Sequence, residues 1–179
     1  MVLLQPPTTS IYSKLTHSML IKEYSNGCKA VLATKDHAEQ LAPFLRHDDK
    51  LEVGAYGFEN SLESLLSALD NDDLTITALD KDDVPFAMFG VGKGYPNDYI
   101  WLLGSDSVKD NWYSFAKASR QFLPLLIQEY PLVFNLVLKN YTDSVKWLKW
   151  LGADFIREVS LGGHDFYEFV IVNKNYNKS

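Results

Sequence analysis

Three short apolar segments in succession, 74–79, 84–91 and 99–103, constrain the fold of this chain more than any other feature. In the first, Leu74, Ile76 and Ala78 alternate with Thr75 and Thr77, the period of a strand with one apolar face. Asp80-Lys81-Asp82-Asp83 is a polar turn, and Gly92 to Asp98 is a longer one carrying Gly94 and Pro96. The pattern predicts a three-stranded antiparallel meander.

Helical spacing flanks the meander on both sides. Cys28 to Thr34 reads as a buried strand, and Thr34 can cap a helix with Ala38, Leu41, Ala42 and Leu45 on one face. Pro43 interrupts that helix, and Gly54 and Gly57 break the pattern around Tyr56. Asn60 and Glu63 offer a capping-box-like start to a helix with the stripe Leu62, Leu65, Leu66, Leu69. After the meander, Asp110 is the expected cap of a long helix carrying Trp112, Phe115, Ala118, Phe122, Leu125 and Leu126, with a kink or early stop at Pro124. A strand at 132–138 follows, then a helix from Thr142 or Asp143 with Val145, Leu148 and Leu151 inward, closed by Gly152. A hairpin across Gly162-Gly163 ends the pattern. The order is β-α-α-β-β-β-α-β-α-β-β, an α/β domain over residues 27–174. Residues 1–26 read as an extension, with His17 to Tyr24 a short helix or strand, and 175–179 as a frayed tail.

Composition bounds the function. A net charge of −6 argues against a broad nucleic-acid-binding face. The single cysteine, Cys28, rules out an internal disulfide framework and reads as a buried structural thiol. Val2-Leu3-Leu4 is too short for a secretory core, and no run reaches the length of a membrane span. His37, His47 and His164 lack metal-ligand spacing, so no metal is expected. The acidic groups at Asp70, Asp72 and Asp73 and at Asp80, Asp82 and Asp83 read as solvated turns. Trp147 and Trp150, three apart, lean to one face of their helix for core or subunit packing or for an acyl or peptide pocket. Asn135 lies inside an apolar strand, where its amide pairs with a splayed neighbouring strand or lines a cleft.

The order of elements resembles the GNAT (N-acetyltransferase) fold, a mixed, mostly antiparallel sheet with helices on both faces. The most telling segment is Asn140-Tyr-Thr-Asp-Ser-Val-Lys-Trp-Leu-Lys-Trp-Leu-Gly152, which is similar to the GNAT segment where Asn precedes a short helix ending in Leu-Gly-Phe. Here Ala153 stands at the aromatic position. Leu45-Arg-His-Asp-Asp-Lys-Leu-Glu52, Ile100-Trp-Leu-Leu-Gly-Ser-Asp106 and Val145 to Gly152 together look like the acetyltransferase-like internal virion proteins of short-tailed phages. The resemblance covers roughly residues 28–172 and implies a virion interior or host cytoplasm, with virion or host proteins as partners.

It also implies where chemistry would sit. GNAT enzymes bind the acetyl-CoA pyrophosphate with Arg/Gln-x-x-Gly-x-Gly/Ala after the fourth strand, whereas this chain has Gly104-Ser-Asp-Ser-Val-Lys-Asp110. Ser105, Ser107 and Lys109 remain as donors, with Leu102, Leu103 and Gly104 holding a thioester and Asn140 nearby. One glycine, no arginine and two aspartates imply weakened or lost acetyl-CoA binding. The usual Tyr acid position falls on Leu148 and the usual Asn position on Tyr141. Glu52 is the candidate general base, with Tyr141 as the second catalytic candidate. Arg46, Asp49 and Glu52 share one face if the helix continues, either as an ion-pair ladder or as a solvated helix end. The implied function is an acyltransferase-fold protein with reduced activity; the alternative is an active N-acetyltransferase.

Overall fold

The computed structural model describes residues 20–176; the expected turn at Pro6 to Ser10, the start of the His17 segment and the last residues of the tail lie outside them. One eight-stranded sheet runs in the order β1-β2-β3-β4-β5-β6-β8-β7. Its strands are β1 (Leu20–Glu23), β2 (Lys29–Leu32), β3 (Leu74–Leu79), β4 (Pro85–Gly92), β5 (Tyr99–Gly104), β6 (Leu132–Leu138), β7 (Asp154–Leu161) and β8 (His164–Val172). Every neighbouring pair is antiparallel except β5 and β6. The expected meander is β3-β4-β5. β1, drawn from the segment read as an extension, forms the edge next to β2.

Helices cover both faces. On one lie α1 (Lys35–Leu41), α2 (His47–Ala55) and α3 (Ser61–Asn71); on the other lie α5 (Trp112–Leu126) and α6 (Thr142–Leu151), with the short α4 (Ser107–Asp110) leading into α5. Thr34 caps α1 as expected, accepting from the His37 N–H while His37 Nδ1 accepts from the Thr34 N–H. Asn60 caps α3 from the Glu63 N–H at 2.9 Å. The α3 stripe packs Leu65, fully buried, against Met88 and Leu103, and a leucine so buried contributes about 1.5–3 kcal/mol.

Several local expectations need correction. Pro43 does end α1, in a 3₁₀ turn (Ala42–Phe44), but a new helix starts at His47, carries Gly54 within it and ends at Ala55 with Tyr56 as its C-cap, so the expected break around Tyr56 is present. Gly54 is tolerated there because nothing lies within 4 Å of where its Cβ would be. Asp110 closes α4 rather than capping α5, whose N-cap is Asn111. Pro124 sits in the last turn of α5 and the helix runs past it to Leu126, since a proline this late costs little of the remaining ladder. Asp72 and Asp73 are half-buried and bonded rather than free in a turn: Asp72 accepts from the Tyr99 hydroxyl (2.7 Å) and the Trp101 indole, and Asp73 from the Tyr130 hydroxyl. At the end of α6, Gly152 takes the left-handed conformation (φ 95°) and donates to the Lys149 carbonyl, turning the chain into β7.

Candidate functional site

β5 and β6 touch at one point and then part. Their only paired residues are Tyr99 and Phe134, so the C-terminal halves of both strands diverge around a wedge. Main-chain groups bordering a wedge lose their ladder partners and need others. Asn135 fills the apex. Its Nδ2 donates to the Ile100 carbonyl (2.7 Å), and its Oδ1 accepts from the Leu136 N–H (2.7 Å) and the Tyr56 hydroxyl (2.6 Å). Both readings open for Asn135 are observed: its amide pairs with the splayed strand, and the residue lines the cleft.

The polar face of α2 lies across the opening. Asp49 Oδ2 accepts from the Gly104 N–H at the end of β5 (2.8 Å), and Glu52 Oε1 from the Leu138 N–H at the end of β6 (2.8 Å). Asp49, Glu52 and Tyr56 recur at helical spacing, so one stripe meets both strands. The flanks of α2 are apolar: Val53 packs with Leu103 and Met88, while Leu51 and Ala55 pack with Leu138 and Phe166. The helix thus straddles the wedge. Since the Gly104 amide and the Ile100 carbonyl point toward β6, two-residue alternation turns the Leu102 N–H the same way, into the gap.

Charge is concentrated here. Asp49, 1% exposed, is gripped by Arg46 through Nε (2.9 Å) and Nη2 (2.9 Å to Oδ2), and the guanidinium lies over the Tyr141 ring, 5.2 Å from its centroid. The Arg46–Asp49 pair is the ladder reading, although α2 starts at His47 with Arg46 as its N-cap. Burial pushes the Glu52 carboxyl up from 4.5 to about 8, against the Leu138 N–H and Arg46, which favour its charged form. A carboxyl titrating there can exchange a proton near neutral pH. Tyr141 is buried beside this cluster, and burial raises its phenol.

A cavity of about 460 Å³ runs through the wedge, from Glu52, Tyr56 and Trp101 on the α2 side to Phe115, Phe122 and Trp147 on the α5 and α6 side. Of the expected catalytic and cofactor-binding residues, Glu52, Leu102 and Leu103 line it, with Arg46 and Asp49 beside them, while Gly104 donates to Asp49 and Tyr141 lies under Arg46. Ser105, Ser107, Lys109 and Asn140 do not join them. Ser105 is buried and bridges to Leu45, with its Oγ donating to the Phe86 carbonyl. Ser107 and Lys109 lie in α4, Lys109 facing Asp106 at 3.6 Å, and Asn140 is exposed in the turn before α6. Sequence reasoning passed over Tyr56, and its i+7 spacing from Asp49 was the available signal.

The turn after β5 does not fit a diphosphate. Four amides in and after the turn bond within the chain: Ser105 N–H to Phe86 (2.9 Å), Val108 to Ser105 (3.1 Å), Lys109 to Asp106 (2.9 Å) and Asn111 to Ser107 (3.1 Å). Asp106 and Asp110 add negative charge where an anion would sit. Aromatic contacts also bridge α5 and α6: Phe115 packs on Trp147 at 5.4 Å, and Arg120 lies 4.0 Å over Trp150. Both tryptophans of α6 therefore face α5. Among the described residues no cluster of three or more His, Cys, Asp or Glu is placed to hold a metal ion, and no helix is long and apolar enough to cross a membrane.

This architecture is that of the GNAT acetyltransferases. A GNAT-family acetyltransferase from Bacillus anthracis superposes with a TM-score of 0.65 at 12% identity, covering 88% of this chain and 100% of the other. A GCN5-related N-acetyltransferase from Kribbella flavida gives 0.63 at 14% identity, covering 83% and 99%. The ribosomal-protein-S5-alanine acetyltransferase from Vibrio fischeri gives 0.62 at 12% identity, covering 90% and 100%. No family model and no curated protein sequence matches the chain. At such identities the likeness is one of fold.

Proposed function

We propose that this chain is a phage-encoded, virion-associated protein of GNAT fold in which acetyl-CoA-dependent transfer is weak or lost. The carrying observation is the turn after β5, which has two aspartates and no arginine, and in which the Ser105, Val108, Lys109 and Asn111 amides bind within the chain. The phage and virion part rests on the motif likeness of 45–52, 100–106 and 145–152. In this reading the domain serves as an assembly or host-interaction module. Calorimetry with acetyl-CoA up to millimolar concentration is expected to give no saturable heat. One-to-one binding tighter than about 100 μM, equivalent to roughly 5.5 kcal/mol, overturns it. Mass spectrometry of purified virions is expected to find the polypeptide, and its absence overturns the placement.

One observation favours a second reading, an active N-acetyltransferase. Glu52 stands in the wedge with its carboxyl pushed up to about 8, suited to taking a proton from an ammonium acceptor. Leu102 N–H faces the same gap and would polarise a carbonyl there. Transfer to an amine that is lost in Glu52→Gln would establish this reading over the first.

A further inference from the structure

The net charge of −6 averages over two unlike surfaces. Over α1 to α3 and their links, Asp36, Glu39, Glu59, Glu63 and Asp70 are exposed. The outer side of α5 and α6 carries the opposite sign. Along α5, Tyr113, Lys117 and Arg120 stand at i, i+4 and i+7, one exposed stripe of about 10 Å. Along α6, Lys146, Lys149 and Trp150 stand at i, i+3 and i+4, and all are exposed. The Arg120 guanidinium, 4.0 Å over the Trp150 ring, joins the two helices at the surface. None of these six residues lines the cavity between β5 and β6.

The four cations of this face have no carboxylate partner. On the sheet, Lys29 meets Asp83 at 2.6 Å, Lys139 meets Glu158 at 2.7 Å and Arg157 meets Glu168 at 2.7 Å. Lys117, Arg120, Lys146 and Lys149 form no ion pair among the described residues. Asp110 precedes α5 and Asp143 lies in the first turn of α6, where the helix dipole favours a carboxylate, and neither pairs with these cations. Like charges left in this way repel one another, and an anionic ligand relieves the repulsion. Beside them Tyr113 is 81% exposed and Trp150 43%. Phosphates would neutralise the cations while bases stack on the two rings, the combination that single strands need. An acidic peptide would use the cations and leave the rings bare. The patch is two helices wide, which agrees with the charge argument against a broad nucleic-acid-binding face.

We infer that the outer face of α5 and α6 binds single-stranded nucleic acid, its phosphates on Lys117, Arg120, Lys146 and Lys149 and its bases on Tyr113 and Trp150. The site is separate from the wedge and from the turn after β5, so it stands whether or not acetyl-CoA binds. Full-length protein is titrated into a fluorescein-labelled oligothymidylate of about 12 nucleotides, within the usual span of single-strand sites, and anisotropy is read. Saturable binding is expected at about 50 mM salt, with a loss of about 20- to 50-fold by about 200 mM, the slope for three to four phosphates. No saturation at the lower salt overturns the inference. Lys117→Glu combined with Lys146→Glu is expected to weaken binding about 10-fold or more at an unchanged melting temperature. Trp150→Ala is expected to weaken it several-fold and to remove part of the tryptophan quenching. Lys50→Glu combined with Lys93→Glu changes the net charge equally at exposed positions elsewhere. An equal loss in that variant overturns the inference, because overall charge would then explain the binding. Should the first double variant fail to fold, Lys117→Gln and Lys146→Gln singly are each expected to weaken binding several-fold, and unchanged affinity in both overturns the inference. Salt-sensitive self-association in sedimentation without oligonucleotide binding would assign the face to the acidic helices of a second copy, and overturns it too.

Discussion

Glu52 makes the stability of this protein depend on pH in a direction opposite to that of most carboxylates. Its carboxyl is pushed from 4.5 up to about 8 in the fold, chiefly by burial. Between those values the folded protein holds a proton that the unfolded chain has released, so stability falls as pH rises. The slope is about 1.4 kcal/mol per pH unit. Over the whole window this gives about 3–5 kcal/mol, allowing for the partial solvent contact of the side chain. Below pH 4.5 the effect is absent, and above about 8 it is complete. Glu52→Gln keeps an oxygen to accept from the Leu138 N–H and has no charge to bury. The variant is therefore expected to match the parent near pH 5 and to exceed it by several kcal/mol at pH 8–9. Urea denaturation of both proteins at half-unit steps from pH 5 to 9 measures the difference directly. Parallel stability curves across that range would refute the reasoning, because they would mean that Glu52 ionises alike in the folded and unfolded chain. A variant less stable at every pH would refute it too, showing the charge to be favourable in the wedge.

Two further substitutions test the wedge. Asp49→Ala leaves the Arg46 guanidinium without its partner and the Gly104 N–H without its acceptor, and is expected to cost about 3–5 kcal/mol by chemical denaturation. Asn135→Ala removes the bridge from Ile100 to Leu136 and Tyr56, with an expected loss of about 1–3 kcal/mol and faster amide exchange at Leu136.

The elements of this chain are local patterns, and the sequence alone determined most of them. Alternation at 74–79, the leucine stripe of α3 and the Thr34 and Asn60 caps each depend on residues within a turn or two of one another. That Trp147 and Trp150 share one face of α6 was likewise visible in spacing, although Trp150 stays exposed under Arg120. Breakers were harder to read, because the cost of a proline or glycine depends on where the helix actually starts and what surrounds it. Gly54 faces open space and sits in the last turn of α2, which still ends around Tyr56 as expected, and Pro124 falls in the last turn of α5, two residues before its end. The site lies in another category. Glu52 meets Leu138 across 86 positions and Asp49 meets Gly104 across 55. Their charges look like a solvated helix end until the strands are placed on either side. That two strands part after a single pair, leaving main-chain groups that α2 and Asn135 satisfy, follows from packing between distant segments. Only the tertiary structure brought the Glu52 carboxyl out of water, and only it showed which amides after β5 bond within the chain. The sequence carried the residue types; the splay of β5 from β6 decided what they meet.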